Sequence, residues 1–217
     1  MSFKLSARIQ KEIRVGILSD EFEFMFDAEG IYGDANTAYL RFTIKSGTYE
    51  GQTHILRMKF IYGSNQPYVF PGDPPNVTFE TPIFHTNIAT GGSICLDVIQ
   101  KDKWSPMYGI ETIFHSIIAL LDSPNTSSPF NSDASLKYTR CSKANIMDKY
   151  KDICMEYYKN GTPASIEHRI WKILHAPEFD LCIIAKLEKH KVPKSQWPKG
   201  IESLNELETE PGPKTSD

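Results

Sequence analysis

The sequence predicts an α+β domain, and three patterns carry that reading. A helical apolar rhythm opens the chain, strand-like alternation follows in four short runs, and helical rhythm returns only after a long aperiodic stretch. Over residues 3–17, Leu5, Ile9 and Ile13 share one face while Arg8, Lys11, Glu12 and Arg14 are polar, which predicts an amphipathic helix. Phe22, Phe24 and Phe26 alternate with Glu21, Glu23 and Asp27, the period of a strand. Ala38–Lys45 alternates as well, and Ser46-Gly47-Thr48 interrupts it. His54–Tyr62 makes a third strand and Val77-Thr78-Phe79 a fourth. Short turns between most neighbours make an antiparallel meander the economical topology.

Residues 67–76 contain five prolines and glycines and cannot form regular structure. Residues 82–108 show little periodicity, and a stretch that long inside a compact domain is usually functional or disordered. Ile110, Ile113, Phe114, Ile117, Ile118 and Leu121 then place a helix over 108–121, and a helical pattern resumes at about 131–159.

With 217 residues, 40% of them hydrophobic, the chain suits one domain with an appendage. The net charge of −3 and the lack of a basic run argue against nucleic-acid binding. No apolar signal core opens the chain and no stretch has membrane length, so the expectation is a cytosolic protein, with the nucleus open to it. Cys95, Cys141, Cys154 and Cys182 have no metal-ligand spacing, which predicts free thiols and no metal site. Cys154 and Cys182 lie in apolar surroundings and read as small core residues.

Cys95 is different. It follows a Gly91-Gly92 turn in the run from His85 to Asp97, with polar residues on both sides. A thiol can accept an acyl group as a thioester, an amide N–H can stabilise the oxyanion formed when that thioester is attacked, and a nearby carboxylate can orient an amine. His85, Asn87, Cys95 and Asp97 with Trp104-Ser105-Pro106, then Leu120-Leu121-Asp122-Ser123-Pro124-Asn125 and Ser128-Pro129, resemble the active site of the ubiquitin-conjugating enzymes. That family has a His-Pro-Asn turn and a Cys eight positions after the Asn, the spacing of Asn87 and Cys95 here. The likeness is strongest over 49–140 and extends over roughly 3–160. It implies a catalytic core over 1–160; beyond it, residue patterns alone predict a helical extension over 161–190 and a Pro-rich, acidic tail over 191–217 that is partly disordered.

The resemblance implies that Cys95 takes activated ubiquitin from an activating enzyme and passes it to a substrate lysine, usually with a ubiquitin ligase. No cofactor is implied for this chain, since ATP is consumed by the activating enzyme. Asn87 would donate to the oxyanion or hold the loop bearing Ser128; simple turn stabilisation is also open to it. His85 could serve as a general base, but the family uses this His to support the Asn turn. Asp97 and Ser128 would flank the path of the acceptor lysine, although Asp97 could equally be a surface carboxylate. Thr86 stands where the family usually has Pro, which predicts a less rigid turn. Ligases in this family grip positions matching Arg8, Lys11, Phe70, Pro106 and Met107. His115 and Ala119 match the contacts to the carried ubiquitin, though His115 could simply face solvent. Three other readings remain open here: a carrier of another ubiquitin-like modifier, a non-catalytic ubiquitin-binding variant, and a cysteine hydrolase built on Cys95, His85 and Asn87. The hydrolase is disfavoured, because a His two residues from the Asn is poorly placed to be oriented by it.

The extension leaves a further question. Ile166, Ile170, Ile173, Leu174, Leu181, Ile183, Ile184 and Leu187 are too apolar to remain in water, so they belong against the core or against a partner. Packing on the core is the expected arrangement.

Overall fold

A computed structural model describes residues 6–28, 30, 31, 35–60 and 70–161, together with 173, 176, 179, 186, 188–191 and 193. The order is α1 (Ala7–Leu18), β1 (Glu23–Asp27), β2 (Thr37–Thr43), β3 (Thr53–Lys59), β4 (Asn76–Phe79), α2 (Ile110–Asp122), α3 (Ser132–Lys143) and α4 (Met147–Asn160). The four strands form one sheet in the order β1-β2-β3-β4, each pair antiparallel. This is the expected meander, and the α+β class holds.

Ser6 caps α1, its hydroxyl accepting from the Ile9 N–H at 3.2 Å, so the helix begins later than residue 3. Ile9 is fully buried, with Ile13 and Ile17 packed beside it. Gly16 lets α1 lie against β1: a Cβ there would stand 2.4 Å from the Phe24 ring. Glu12 links α1 to α2. Its nearly buried carboxylate accepts from Arg8 Nε at 2.7 Å and from the Ile110 N–H at 2.9 Å, satisfying a free donor at the start of α2.

Both faces of the sheet are covered. Phe24, Leu40, Leu56 and Phe79 pair in register and face the main core, where Ile113, Phe114, Ile117 and Leu121 of α2 meet them. Met25, Tyr39 and Ile55 point the opposite way, as the two-residue strand period requires, and pack with Ile173, Ala176 and Phe179. The described part of the extension therefore lies on the sheet, as expected. The Arg41 guanidinium stacks 4.5 Å from the centre of the Phe179 ring, and Lys186 Nζ donates to the Phe22 carbonyl at 2.6 Å. The remaining apolar residues of the extension, Cys182, and the tail over 194–217 lie outside the described residues.

The helical pattern at 131–159 is two helices. Asn145 sits between them with φ 55°, a left-handed conformation that Asn tolerates and that ends α3.

Candidate active site

The site is built on the stretch between β4 and α2. It begins at Phe84, whose carbonyl accepts from Tyr49 Oη at 2.9 Å, Tyr150 Oη at 3.4 Å and Cys154 Sγ at 3.5 Å. The core thus fixes the residue before His85. Burial pushes the Cys154 thiol up to about 12, which keeps it protonated and inert. Cys141 is buried too, while Cys95 is half-buried and free.

His85 is fully enclosed and both ring nitrogens are used. The Asn87 N–H donates to Nδ1 at 3.0 Å, so Nε2 carries the proton and donates to the Leu120 carbonyl at 3.1 Å. Burial lowers its pKa to about 4, against the opposing effect of the Leu120 carbonyl. A neutral ring tied at both ends cannot be the general base that the sequence left open; His85 holds the turn. The same arrangement removes the hydrolase reading, which needs an imidazole free to meet the thiol.

Asn87 is 1% exposed. Its Oδ1 accepts from the Asn125 N–H and its Nδ2 donates to the Asn125 carbonyl, each at 2.8 Å. This pair locks the loop of Ser128 to the Cys95 segment. Thr86 adds a second tie, its carbonyl accepting from the N–H groups of Phe130 and Asn131 at 2.9 and 3.0 Å. The Thr86 hydroxyl is buried with no partner among the described residues. A proline here would bring no such unpaired group, so the departure from the family costs hydrogen bonding rather than placement.

Gly91 and Gly92 form the turn before Cys95. Gly92 has φ +83°, and a Cβ on it would lie 2.0 Å from the Phe79 carbonyl oxygen. Only glycine allows this approach, which docks the loop on β4 through the Phe79 N–H to Gly92 carbonyl bond at 2.9 Å. The Cys95 N–H donates to the Asn87 carbonyl at 2.8 Å. The thiol-bearing residue and the amide-bearing residue are therefore joined through the backbone.

Asp97 opens a short 3-10 turn, Asp97–Ile99, with an exposed side chain. Its carboxylate meets Lys103 Nζ at 2.9 Å. That hydrogen bond raises the Lys103 pKa, with smaller contributions in the same direction from Asp102 and Cys95. Ser128 is exposed on the loop that Asn87 holds. Lys103 had no signal in the sequence, because nothing in a six-residue spacing foretells a contact made by two turns. Asn125 was visible as part of a motif, but its pairing to Asn87 through main-chain atoms was not.

The partner positions divide. Lys11, Pro106 and Met107 are exposed, Met107 to 87%. Phe70 is buried at 2%, packed on Phe60 and Trp104, so it is a core residue rather than an open contact. Arg8 is also committed: besides Glu12 it donates to the Pro106 and Tyr108 carbonyls at 2.7 Å each and lies 5.4 Å over the Phe70 ring. It shapes the surface on which Pro106 and Met107 stand. His115 and Ala119 are exposed on one face of α2, and His115 is hydrogen-bonded to Glu21. No group of metal-ligating side chains occurs among the described residues, and no described helix is long and apolar enough to cross a membrane.

A helix, a four-stranded meander, a Cys–Asn loop and three further helices define the catalytic domain of ubiquitin conjugation. The family model described as ubiquitin-conjugating enzyme matches residues 8–155, and the chain belongs to that family. It is 36% identical over 113 residues to the ubiquitin-conjugating enzyme E2-20 kDa of Schizosaccharomyces pombe, covering 50% of this chain and 64% of that protein. It is 45% identical over 69 residues to ubiquitin-conjugating enzyme E2 2 of Yarrowia lipolytica, covering 32% of this chain and 45% of that one. The matched stretches thus span less than two thirds of those relatives.

Proposed function

We propose that this chain carries ubiquitin as a thioester on Cys95 and transfers it to a lysine of a substrate protein, working between an activating enzyme and a ubiquitin ligase. The observation that carries the reading is the Asn87–Cys95 unit: a half-buried free thiol whose main chain is bonded to the residue holding a rigid carboxamide. Charging is a transthiolation. The Cys95 thiolate attacks the activating enzyme's thioester, and the enzyme's thiolate leaves. Discharge is aminolysis. The substrate amine attacks, an oxyanion forms, and the Cys95 thiolate is expelled.

One Nδ2 hydrogen of Asn87 is used by Asn125, and in this reading the other would donate to the oxyanion from a carboxamide already held in place. A lysine is mostly protonated at neutral pH and has to lose its proton first. Asp97 would aim the ammonium, and Ser128 would line the other side of its path. Pro106, Met107 and Lys11 would form the ligase face, with His115 and Ala119 meeting the carried ubiquitin. ATP is spent upstream, and the cytosol is the proposed compartment.

The test is to incubate the protein with ATP, an activating enzyme and each purified modifier. A reductant-sensitive adduct with ubiquitin supports the reading. An adduct only with another ubiquitin-like modifier reassigns the cargo, and no adduct with any of them refutes the carrier function.

A further inference from the structure

We propose that Tyr49 is a positioning residue for transfer: its hydroxyl, acting through Phe84 and His85, sets the Asn87 carboxamide for discharge of the Cys95 thioester. The inference rests on the thioester reading above and adds to it a residue from a different part of the fold.

Tyr49 stands in the turn between β2 and β3, 35 positions before Phe84. Backbone bonds close that turn. The Gly51 N–H donates to the Ile44 carbonyl at 2.9 Å, and the Gln52 N–H donates to the Tyr49 carbonyl at 3.1 Å. Glu50 ties the turn to α4 through Lys151 Nζ at 2.9 Å. From this fixed base the Tyr49 side chain runs inward and is buried. Its Oη donates to the Phe84 carbonyl at 2.9 Å, and its ring lies against the His85 ring, 5.9 Å between centres and tilted by 51°. Burial holds the phenol well above its ordinary range, so it remains a donor throughout the neutral range.

Tyr49, Tyr150 and Cys154 converge on the Phe84 carbonyl, whose oxygen has only two lone pairs. The Tyr150 contact is long at 3.4 Å, and a thiol such as Cys154 is a weak donor. The short bond from Tyr49 therefore sets the direction of this carbonyl, and with it the plane of the peptide that leads into His85. From there the path is short. His85 Nδ1 accepts from the Asn87 N–H at 3.0 Å, and the Asn87 carbonyl accepts from the Cys95 N–H at 2.8 Å. With phenylalanine at position 49 the carbonyl keeps only its two weaker donors, and both belong to α4. It turns toward them, and the His85 ring and the Asn87 carboxamide shift with it. Misplacement by about 1 Å costs about 10²-fold in rate, so a shift of a few tenths of an ångström corresponds to roughly tenfold. Charging does not call on the carboxamide and is left unchanged.

The test uses the full chain carrying Tyr49→Phe, which keeps the ring and deletes one oxygen atom. Parent and variant are loaded with ubiquitin by an activating enzyme and ATP, quenched with EDTA, and discharged onto free lysine in a single turnover. Loading should match the parent, and discharge should be roughly tenfold slower. Ile173→Val trims the cluster on the opposite face of the sheet and controls for lost stability. It should lower Tm and still discharge at the parental rate. A double-mutant cycle with Asn87→Ala separates positioning from general support. If Tyr49 acts through the carboxamide, Tyr49→Phe adds no further slowing to a chain that already lacks it. Discharge of Tyr49→Phe at the parental rate, equal slowing in Ile173→Val, or slowing that multiplies in the double variant overturns the proposal while the carrier function stands. A parent chain that never forms a reductant-sensitive adduct removes both.

Discussion

Asn87→Ala separates the two jobs that one carboxamide performs. In the folded protein it deletes two hydrogen bonds to Asn125, each 2.8 Å long. A typical bond of this kind has a net worth of about 0.5–1.5 kcal/mol. Asn125 is exposed, so water can reach its freed N–H and carbonyl and the loss falls in the lower part of the range. The expected cost is about 1–2 kcal/mol, or roughly 2–8 °C in Tm for a chain of this size. Its consequence for transfer is larger, because removing one oxyanion donor slows acyl transfer by about 10²–10³-fold. Charging should survive, since the Cys95 backbone is held through the Asn87 carbonyl, which alanine retains. The assay is single turnover: load ubiquitin, quench, add free lysine and follow loss of the reductant-sensitive band, with Tm measured in parallel. A variant that discharges within about threefold of the parent while losing the predicted stability would show that Asn87 only holds the loop. A folded variant that cannot be charged would refute the oxyanion argument at its first step.

Further outcomes follow from the same geometry. Cys95→Ala should abolish the thioester, and Cys95→Ser should give a slower-reacting oxyester that survives reductant; replacing Cys141 or Cys154 with Ser should leave a thioester on Cys95, read on a non-reducing gel. Burial depresses His54 to about 3 and His85 to about 4, so the unfolded chain binds more protons between those values and about 6.5. Their contribution is full above about pH 6.5 and is lost as pH falls; at pH 5.5 each costs about 1 kcal/mol, so Tm should drop from pH 7.5 to 5.5, and a flat profile would contradict the buried neutral rings. Thr86→Val removes a buried hydroxyl with no partner among the described residues and should raise stability by about 1 kcal/mol, measured by denaturant melts; a loss would mean the hydroxyl is satisfied. Truncation after Gly161 takes Ile173, Ala176 and Phe179 off Met25, Tyr39 and Ile55. Ile173 and Phe179 alone represent roughly 3–6 kcal/mol of burial, so a large fall in Tm or insolubility is expected, and a truncated protein of full stability would refute the packed extension.

The elements were legible in the sequence where one periodicity dominated. Phe22, Phe24 and Phe26 marked β1, and the Ile110–Leu121 stripe marked α2, because a face that meets a core repeats at the period of its backbone. The Cys–Asn loop was legible for another reason, since its residue types and spacing are chemical requirements rather than packing ones. The single helical pattern at 131–159 concealed two helices, because Asn145 breaks the backbone without interrupting the apolar rhythm.

The fold class, the nucleophile candidate and the family likeness were all readable from residue order, because each depends on local pattern. Tertiary structure decided the roles. Phe70 looked like a surface anchor and proved to be core, because Phe60 and Trp104 close over it. His85 had a general-base role open to it beside the favoured turn-supporting one, and it is a fixed strut, because its partners are main-chain atoms of Asn87 and Leu120. Asp97, expected beside the acceptor-lysine path or as a surface carboxylate, is exposed and pairs with Lys103. In each case the deciding contact is non-local or made by backbone atoms. Side-chain identity reports what a residue can do; only the three-dimensional arrangement fixes which of its atoms are already engaged.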